Sequence, residues 1–177
     1  MRGFVAIEVP GASAVPGSPT GHAPEHLTLR FLGEVDAPTV ARVSEALAGV
    51  AARFAPFELT LAGVGAFPDP ARPRVVYVDV AEGRSEVVRL AADVQAAFSA
   101  VGIPPEDRPF VPHVTVLRVR SSRDRDRAHR LFEELGGRTI ASTTVRELLL
   151  KESDLRPEGA VHHVVGRWTL GPTVPPP

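Results

Sequence analysis

The chain has 177 residues, 44% hydrophobic and 23% charged, with a formal net charge of −1. That length suits one domain with a proper core, and the balanced charge means that a nucleic-acid partner would need a local basic patch rather than bulk attraction. Cysteine is absent, which excludes disulfides, thiolate zinc sites and cysteine nucleophiles, and no apolar run approaches the length of a membrane span.

The opening, MRGFVAIEVPG, has too short an apolar stretch for a signal peptide and no cleavage site, so a cytoplasmic location is expected. Residues 3–10 read as a buried strand closed by Pro10. Residues 11–24, GASAVPGSPTGHAP, have no periodicity and read as a loop. HLTLRFL, 26–32, alternates polar and apolar residues as a strand does, and alternation puts His26, Thr28 and Arg30 on one face and Leu27, Leu29 and Phe31 on the other. Residues 37–54 space Val40, Val43, Leu47 and Val50 as a helix, with Asp36 as N-cap and Pro38 in the first turn. Strands are expected at 57–67 and 74–80, joined by PDPARP. A second helix is expected at 85–102, capped by Ser85 and ended by Gly102.

A loop at 102–112 leads into HVTVLRV, 113–119, another strand. A charged helix follows at 121–137, ended by Gly136 and Gly137. Two strands at 142–153 and 160–170 flank the turn DLRPEG, and 171–177 form a flexible tail after a single domain spanning 1–170. The expected order is β-β-α-β-β-α, then β-α-β-β. Short turns between strand pairs favour an α+β sandwich with an antiparallel or mixed sheet over a doubly wound parallel one. No glycine-rich phosphate loop is present. Basic charge is almost all arginine, with Lys151 the one lysine, a bias that reads as genome composition.

Two strands repeat one pattern. His26-Leu27-Thr28-Leu29 and His113-Val114-Thr115-Val116 each place an imidazole and a hydroxyl on one face, ~7 Å apart at a rise of ~3.4 Å per residue. Side by side, the two pairs would line one groove. An imidazole titrates near neutrality, so one copy can take a proton from water while the other gives one to a departing alkoxide. Threonine hydroxyls can donate to the non-bridging oxygens of a phosphodiester, where charge grows in the transition state. A single His-x-Thr pair is ordinarily a surface or a satisfied core feature; two copies in matching apolar frames favour function. No spacing of His22, His129 or His163 suggests a metal site.

HLTLRFLGEV and RPFVPHVTVLR resemble the paired motifs of the 2H phosphoesterase superfamily, in particular its RNA 2′,3′-cyclic phosphodiesterase branch, historically called 2′-5′ RNA ligase. RGFVAIEVP at the start and LLLKESDLRPEGAVHHVV near the end are similar to that branch as well, so the resemblance runs from Arg2 to about Trp168. It implies an α+β fold of two pseudo-symmetric lobes, each an antiparallel sheet with outer helices, facing across a central groove. It implies hydrolysis of a terminal 2′,3′-cyclic phosphate on RNA, or on tRNA-like fragments, to a 2′-phosphate, and 2′-5′ joining in some members. It also implies a monomer needing no metal or cofactor. Carried over, His26 is the acid protonating O3′, His113 the base activating water, and Thr28 and Thr115 the phosphate-binding hydroxyls. Arg118 matches the basic residue after the second motif, although strict alternation turns it to the face opposite His113. His162 stands where the family has Tyr, either stacking on a base or serving only as a strand residue. The family commonly places a helix where residues 11–24 read here as loop.

Among the remaining residues, Phe4 fits base stacking or, more simply, core packing. Arg108 matches a family position that lines the groove, and Ser153 fits a turn hydrogen bond. RVRSSRDRDRAHR, 118–130, reads either as an RNA-backbone patch or as a solvated helix face, since Asp124 and Asp126 interrupt it. Two rival readings remain: a related phosphodiesterase acting on 2′-5′ oligonucleotides or small cyclic nucleotides, and a nucleotide-binding module without chemistry.

Overall fold

A computed structural model describes residues 1–12, 15, 25–156 and 159–171. Its elements are β1 (Arg2–Glu8), β2 (His26–Glu34), α1 (Ala37–Arg53), β3 (Phe57–Phe67), β4 (Val75–Glu82), α2 (Arg84–Ala100), β5 (His113–Arg118), α3 (Ser122–Leu135), β6 (Thr139–Val145), β7 (Glu147–Arg156) and β8 (Gly159–Thr169). They form two antiparallel four-stranded sheets, ordered β2-β1-β7-β8 and β5-β4-β3-β6. The expected α+β class and two-lobed plan are observed. β2 and β5, the strands carrying the two motifs, occupy matching edges of the two sheets.

The helices form where the apolar spacing places them. In α1, Val43, Leu47 and Val50 are buried, and the Asp36 side chain accepts from the Thr39 amide at 2.9 Å. In α2, Val87, Leu90, Val94 and Phe98 are buried. α1 packs on β7 and β8, and α2 on α1 and β2, so both cover the first sheet, while α3 packs on β3 and β5 of the second. One continuous core fills the space between sheets and helices, including Ile7, Leu27, Leu47, Leu61, Val78, Val114 and Leu131. Ala12 and Val15 also belong to it. The rest of the loop expected over 11–24, the centre of the DLRPEG turn at 157–158, and the tail beyond 171 lie outside the described residues.

Three expectations are corrected. The strand expected at 142–153 is two strands in different sheets, β6 and β7, so the order ends β-β-β. The chain crosses from one sheet to the other at Arg146, whose carbonyl accepts from the Leu170 amide at 2.8 Å. The apolar pattern runs through that point unbroken, which hides the crossing. Second, α2 is not capped by Ser85. Gly83 precedes it with φ +76, no side chain caps the helix, and the Ser85 hydroxyl donates to Glu86 instead. A Cβ at Gly83 would lie 2.3 Å from the Glu58 carbonyl oxygen, so glycine is required there.

The third correction shapes the site. Across β1–β2 the register steps from Ala6↔Thr28 to Val5↔Arg30, leaving Leu29 without a partner. Across β4–β5 it steps from Tyr77↔Thr115 to Val76↔Leu117, leaving Val116 without one. A bulge inserts one residue and reverses the face of every residue after it. Arg30 therefore leaves the face of His26 and Thr28. It is 5% exposed, donates to the Pro104 carbonyl and lies 3.3 Å from the Glu106 carboxylate. Phe31 takes the opposite course: placed by alternation on the face of Leu27 and Leu29, which are buried, it is 59% exposed, with its ring 6.1 Å from that of Phe4. The matching bulge turns Arg118 back toward the face of His113 and Thr115.

Candidate active site

β2 and β5 come within 8 Å of each other, Cα to Cα, so the two motifs flank one seam between the sheets. On each strand the apolar partners, Leu27 and Leu29 or Val114 and Val116, are buried in the core. That burial fixes the alternation and leaves the imidazole and hydroxyl on the other face. Among the described residues neither the Thr28 nor the Thr115 hydroxyl has a protein hydrogen-bond partner, so both are free to donate to a ligand.

His26 is 9% exposed and lies among rings. Phe4 is 5.0 Å from it, centroid to centroid, and His162 meets it edge-on at 5.0 Å; Phe4 and His162 are themselves 5.1 Å apart. Glu8 faces His26 across the β1–β2 ladder, and Lys151 faces Phe4 across β1–β7. The Lys151 ammonium is 3.8 Å from the Glu8 carboxylate and 9% of the residue is exposed. Burial first, then the positive charge of Lys151, then His162, push the His26 imidazole down to about 3. Burial, Lys151 and His163 also lower His162. Lys151 itself is lowered by burial, with Glu8 acting in the opposite sense.

His113 occupies the corresponding place in the other lobe. Its Nδ1 lies 2.7 Å from the Val111 carbonyl oxygen. A carbonyl can only accept, so Nδ1 carries the proton and Nε2 is the nitrogen left for chemistry. Phe67 meets the ring at 5.1 Å and Tyr77 at 5.4 Å. Tyr77 lies over Gly65, where a Cβ would come 2.4 Å from the phenol ring. Asp79 faces His113 across β4–β5, and Arg84 holds its carboxylate at 2.6 Å. Burial lowers the His113 imidazole and Arg118 lowers it further, while the Val111 hydrogen bond and the Asp79 charge work to raise it.

The two halves thus differ in their cations. After its bulge one motif strand presents Arg118, the other Phe31, and the charge near His26 comes instead from Lys151 on β7. Lys151, Phe31, Tyr77 and Phe67 escape the sequence reading. Lys151 left a trace there as the one lysine; Tyr77 and Phe67 lie on separate strands with no local motif. Phe4 is 3% exposed and outside the main core, a floor beneath His26 rather than an open stacking surface. His162 packs on both, with its Nδ1 buried and unpartnered. Ser153 faces His162 across β7–β8. Arg108 is exposed on the loop before β5, with no side-chain hydrogen bond or ion pair among the described residues. His129 and His163 are exposed, and His22 lies outside the described residues. Among those described, no group of three or more His, Cys, Asp or Glu residues could hold a metal ion, and no helix is long and apolar enough to cross a membrane.

Known proteins share this fold and much of this sequence. The family model of the 2′-5′ RNA ligase superfamily matches residues 14–156. A protein of Aeropyrum pernix named RNA 2′,3′-cyclic phosphodiesterase is 39% identical over 137 residues, covering 77% of this chain and 77% of its own length. Another of that name, from Aquifex aeolicus, is 33% identical over 82% of this chain and 78% of its own. Among solved structures, TT0787 of Thermus thermophilus superposes with a TM-score of 0.74 at 28% identity, covering 98% of this chain and all (100%) of its own. E. coli LigT, solved with 3′-AMP, superposes at 0.70 with 26% identity, covering 96% of this chain and 97% of its own.

Proposed function

This chain belongs to the 2′-5′ RNA ligase superfamily, and we propose that it is an RNA 2′,3′-cyclic phosphodiesterase that opens the terminal cyclic phosphate to a 2′-phosphate. The observation that carries this reading is the pair of His-x-Thr strands on matching sheet edges, each bulged at the same point and flanking one seam. In the reaction water attacks phosphorus, the bond from phosphorus to O3′ breaks, and O3′ leaves as an alkoxide unless it receives a proton. Thr28, Thr115 and Arg118 bind the non-bridging oxygens. Supplying charge-assisted donors where negative charge grows is ordinarily a large part of such catalysis.

Electrostatics favours one division of labour, the reverse of the order that the resemblance implies. With its imidazole pushed down to about 3, His26 would hold a proton at pH 7 in only about one molecule in 10⁴. His26 therefore enters as the base that takes a proton from water. His113 is also lowered by burial, but the Val111 carbonyl and the Asp79 charge oppose that shift, and it gives a proton to O3′. If a ribose 5′-hydroxyl replaces water, the same groups form a 2′-5′ junction. That is the proposed source of ligase activity, with RNA ends such as those of tRNA-like fragments as substrates.

The test is a defined oligoribonucleotide ending in a 2′,3′-cyclic phosphate, incubated with protein treated exhaustively with chelator. A 2′-phosphate end is expected, with undiminished activity. A 3′-phosphate, or activity lost on chelation and restored by a divalent ion, contradicts the reading. Tight binding of a mononucleotide without turnover of any cyclic phosphate would support the non-catalytic module instead.

A further inference from the structure

Beyond the end of β5 lies a second basic feature, separate from the two His-Thr pairs. A cavity of about 440 Å³ is lined by Arg72, Arg74, Arg120 and Arg125, together with Ser121 and Ser122. It begins one residue past Arg118: the Val119 amide donates to the Arg74 carbonyl at 2.9 Å, which ties the two arginine-bearing segments together. Among the described residues none of the four guanidinium groups has a hydrogen bond or a carboxylate within ion-pair distance, and no carboxylate lines the cavity. Asp124, next to Arg125 in sequence, is engaged by the backbone of two of the lining residues. Its carboxylate accepts from the Arg120 and Ser121 amides and from the Ser121 hydroxyl at 2.9–3.0 Å, closing the cap of α3. Four like charges converging without counter-ions repel one another, and such a concavity is suited to an anion that accepts from several planar donors at once.

We propose that this cavity is a backbone-phosphate subsite, which holds the RNA chain on the 5′ side of the terminal nucleotide while the cyclic phosphate lies between His26 and His113. The proposal rests on the reading of the activity above and adds a preference for polymer over mononucleotide. RNA is favoured over a free nucleotide because Arg118 continues the row of cations from the active seam to the cavity. Five residues, at most ~16 Å of chain at ~3.3 Å per residue, carry the backbone from Thr115 past the end of β5 to Arg120, too far for the phosphate of one nucleotide to occupy both places. Of the two readings of residues 118–130, the proposal takes the RNA-backbone patch for Arg120 and Arg125 alone. Arg120 and Arg125 line the cavity, joined by Arg72 and Arg74 from a distant part of the chain, while the Asp124 carboxylate is taken up by the α3 cap and pairs with none of the four guanidinium groups.

The experiment compares wild type with the triple variant Arg74→Gln, Arg120→Gln, Arg125→Gln on two substrates: a nucleoside 2′,3′-cyclic monophosphate and a short oligoribonucleotide with the same end. None of the three side chains has a structural partner, so the variant should melt as wild type does. On the mononucleotide, kcat/KM should be unchanged. On the oligonucleotide, KM should rise about tenfold or more, and the fall of log kcat/KM with log salt should become shallower by ~0.7 for each phosphate that the cavity no longer holds. Equal KM and salt slope on the oligonucleotide would overturn the subsite even with the mononucleotide turned over normally. If wild type turns over neither substrate, the activity fails and the subsite is judged by anisotropy of labelled single-stranded RNA, where the variant must bind at least tenfold more weakly. A thermal shift with ATP that the variant loses, with unchanged RNA binding, would assign the cavity to a free nucleotide and overturn the proposal.

Discussion

Lys151 lies 3.8 Å from Glu8 and opposite Phe4, whose ring packs on His26. Its charge is the largest electrostatic influence on His26 after burial. Lys151→Met keeps the aliphatic stem and removes the charge; Glu8, partly exposed, can be solvated in its place. The imidazole of His26 should then rise from about 3 toward its ordinary value. In the profile of kcat/KM against pH, which reports the free protein, the acidic limb should move up while the alkaline limb stays. The sign follows from the roles: a base is active when unprotonated, so raising its pKa raises the pH below which activity is lost. If the alkaline limb moves instead, His26 is the acid and the assignment reverses. The sequence displayed His26, Thr28, His113 and Thr115 openly, because alternation in an apolar frame is a local signal. It gave no sign of what Lys151 does. A lone lysine in an arginine-rich chain looks like composition until β7 is placed beside β1.

The strands show where local reading stops. Helices were legible from spacing and from Asp36, and β2 and β5 from alternation, but alternation carries no warning of a bulge. Arg30 and Phe31 therefore exchanged faces, and Arg118 returned to the face of His113 for the same reason. β6 and β7 merged in the sequence because apolar residues continue across Arg146 where the chain changes sheets. Tyr77 and Phe67 were invisible as site residues because β3 and β4 bring them to His113 only through sheet pairing. Gly65 is the element-level device that seats Tyr77. Gly65→Ala would place a methyl group 2.4 Å from the phenol ring and force it off His113. We expect a folded protein destabilised by ~1–3 kcal/mol, with kcat/KM on a mononucleotide cyclic phosphate reduced about tenfold to a hundredfold by the misplaced imidazole. Unchanged turnover, with the melting temperature lowered, would show that Tyr77 is packing only and does not position His113.

In the molecule as a whole, two sheets of matching order present equivalent edges to each other, and β2 and β5 meet along the seam between them. In the proposed reaction neither lobe suffices alone: each contributes one imidazole and one hydroxyl, and the cations beside them come from different places in the two lobes. Groups that act as a unit give mutational losses that do not add. The most direct measurement is single-turnover kcat/KM on a nucleoside 2′,3′-cyclic monophosphate for His26→Ala, His113→Ala and the double variant, with melting curves to confirm that all three fold. Each single variant should lose about 10²–10⁴-fold, and the double should lose no more than the worse single. Near-normal turnover in either single variant, or a double loss equal to the product of the two single losses, would contradict the joint action of the two imidazoles on one phosphate.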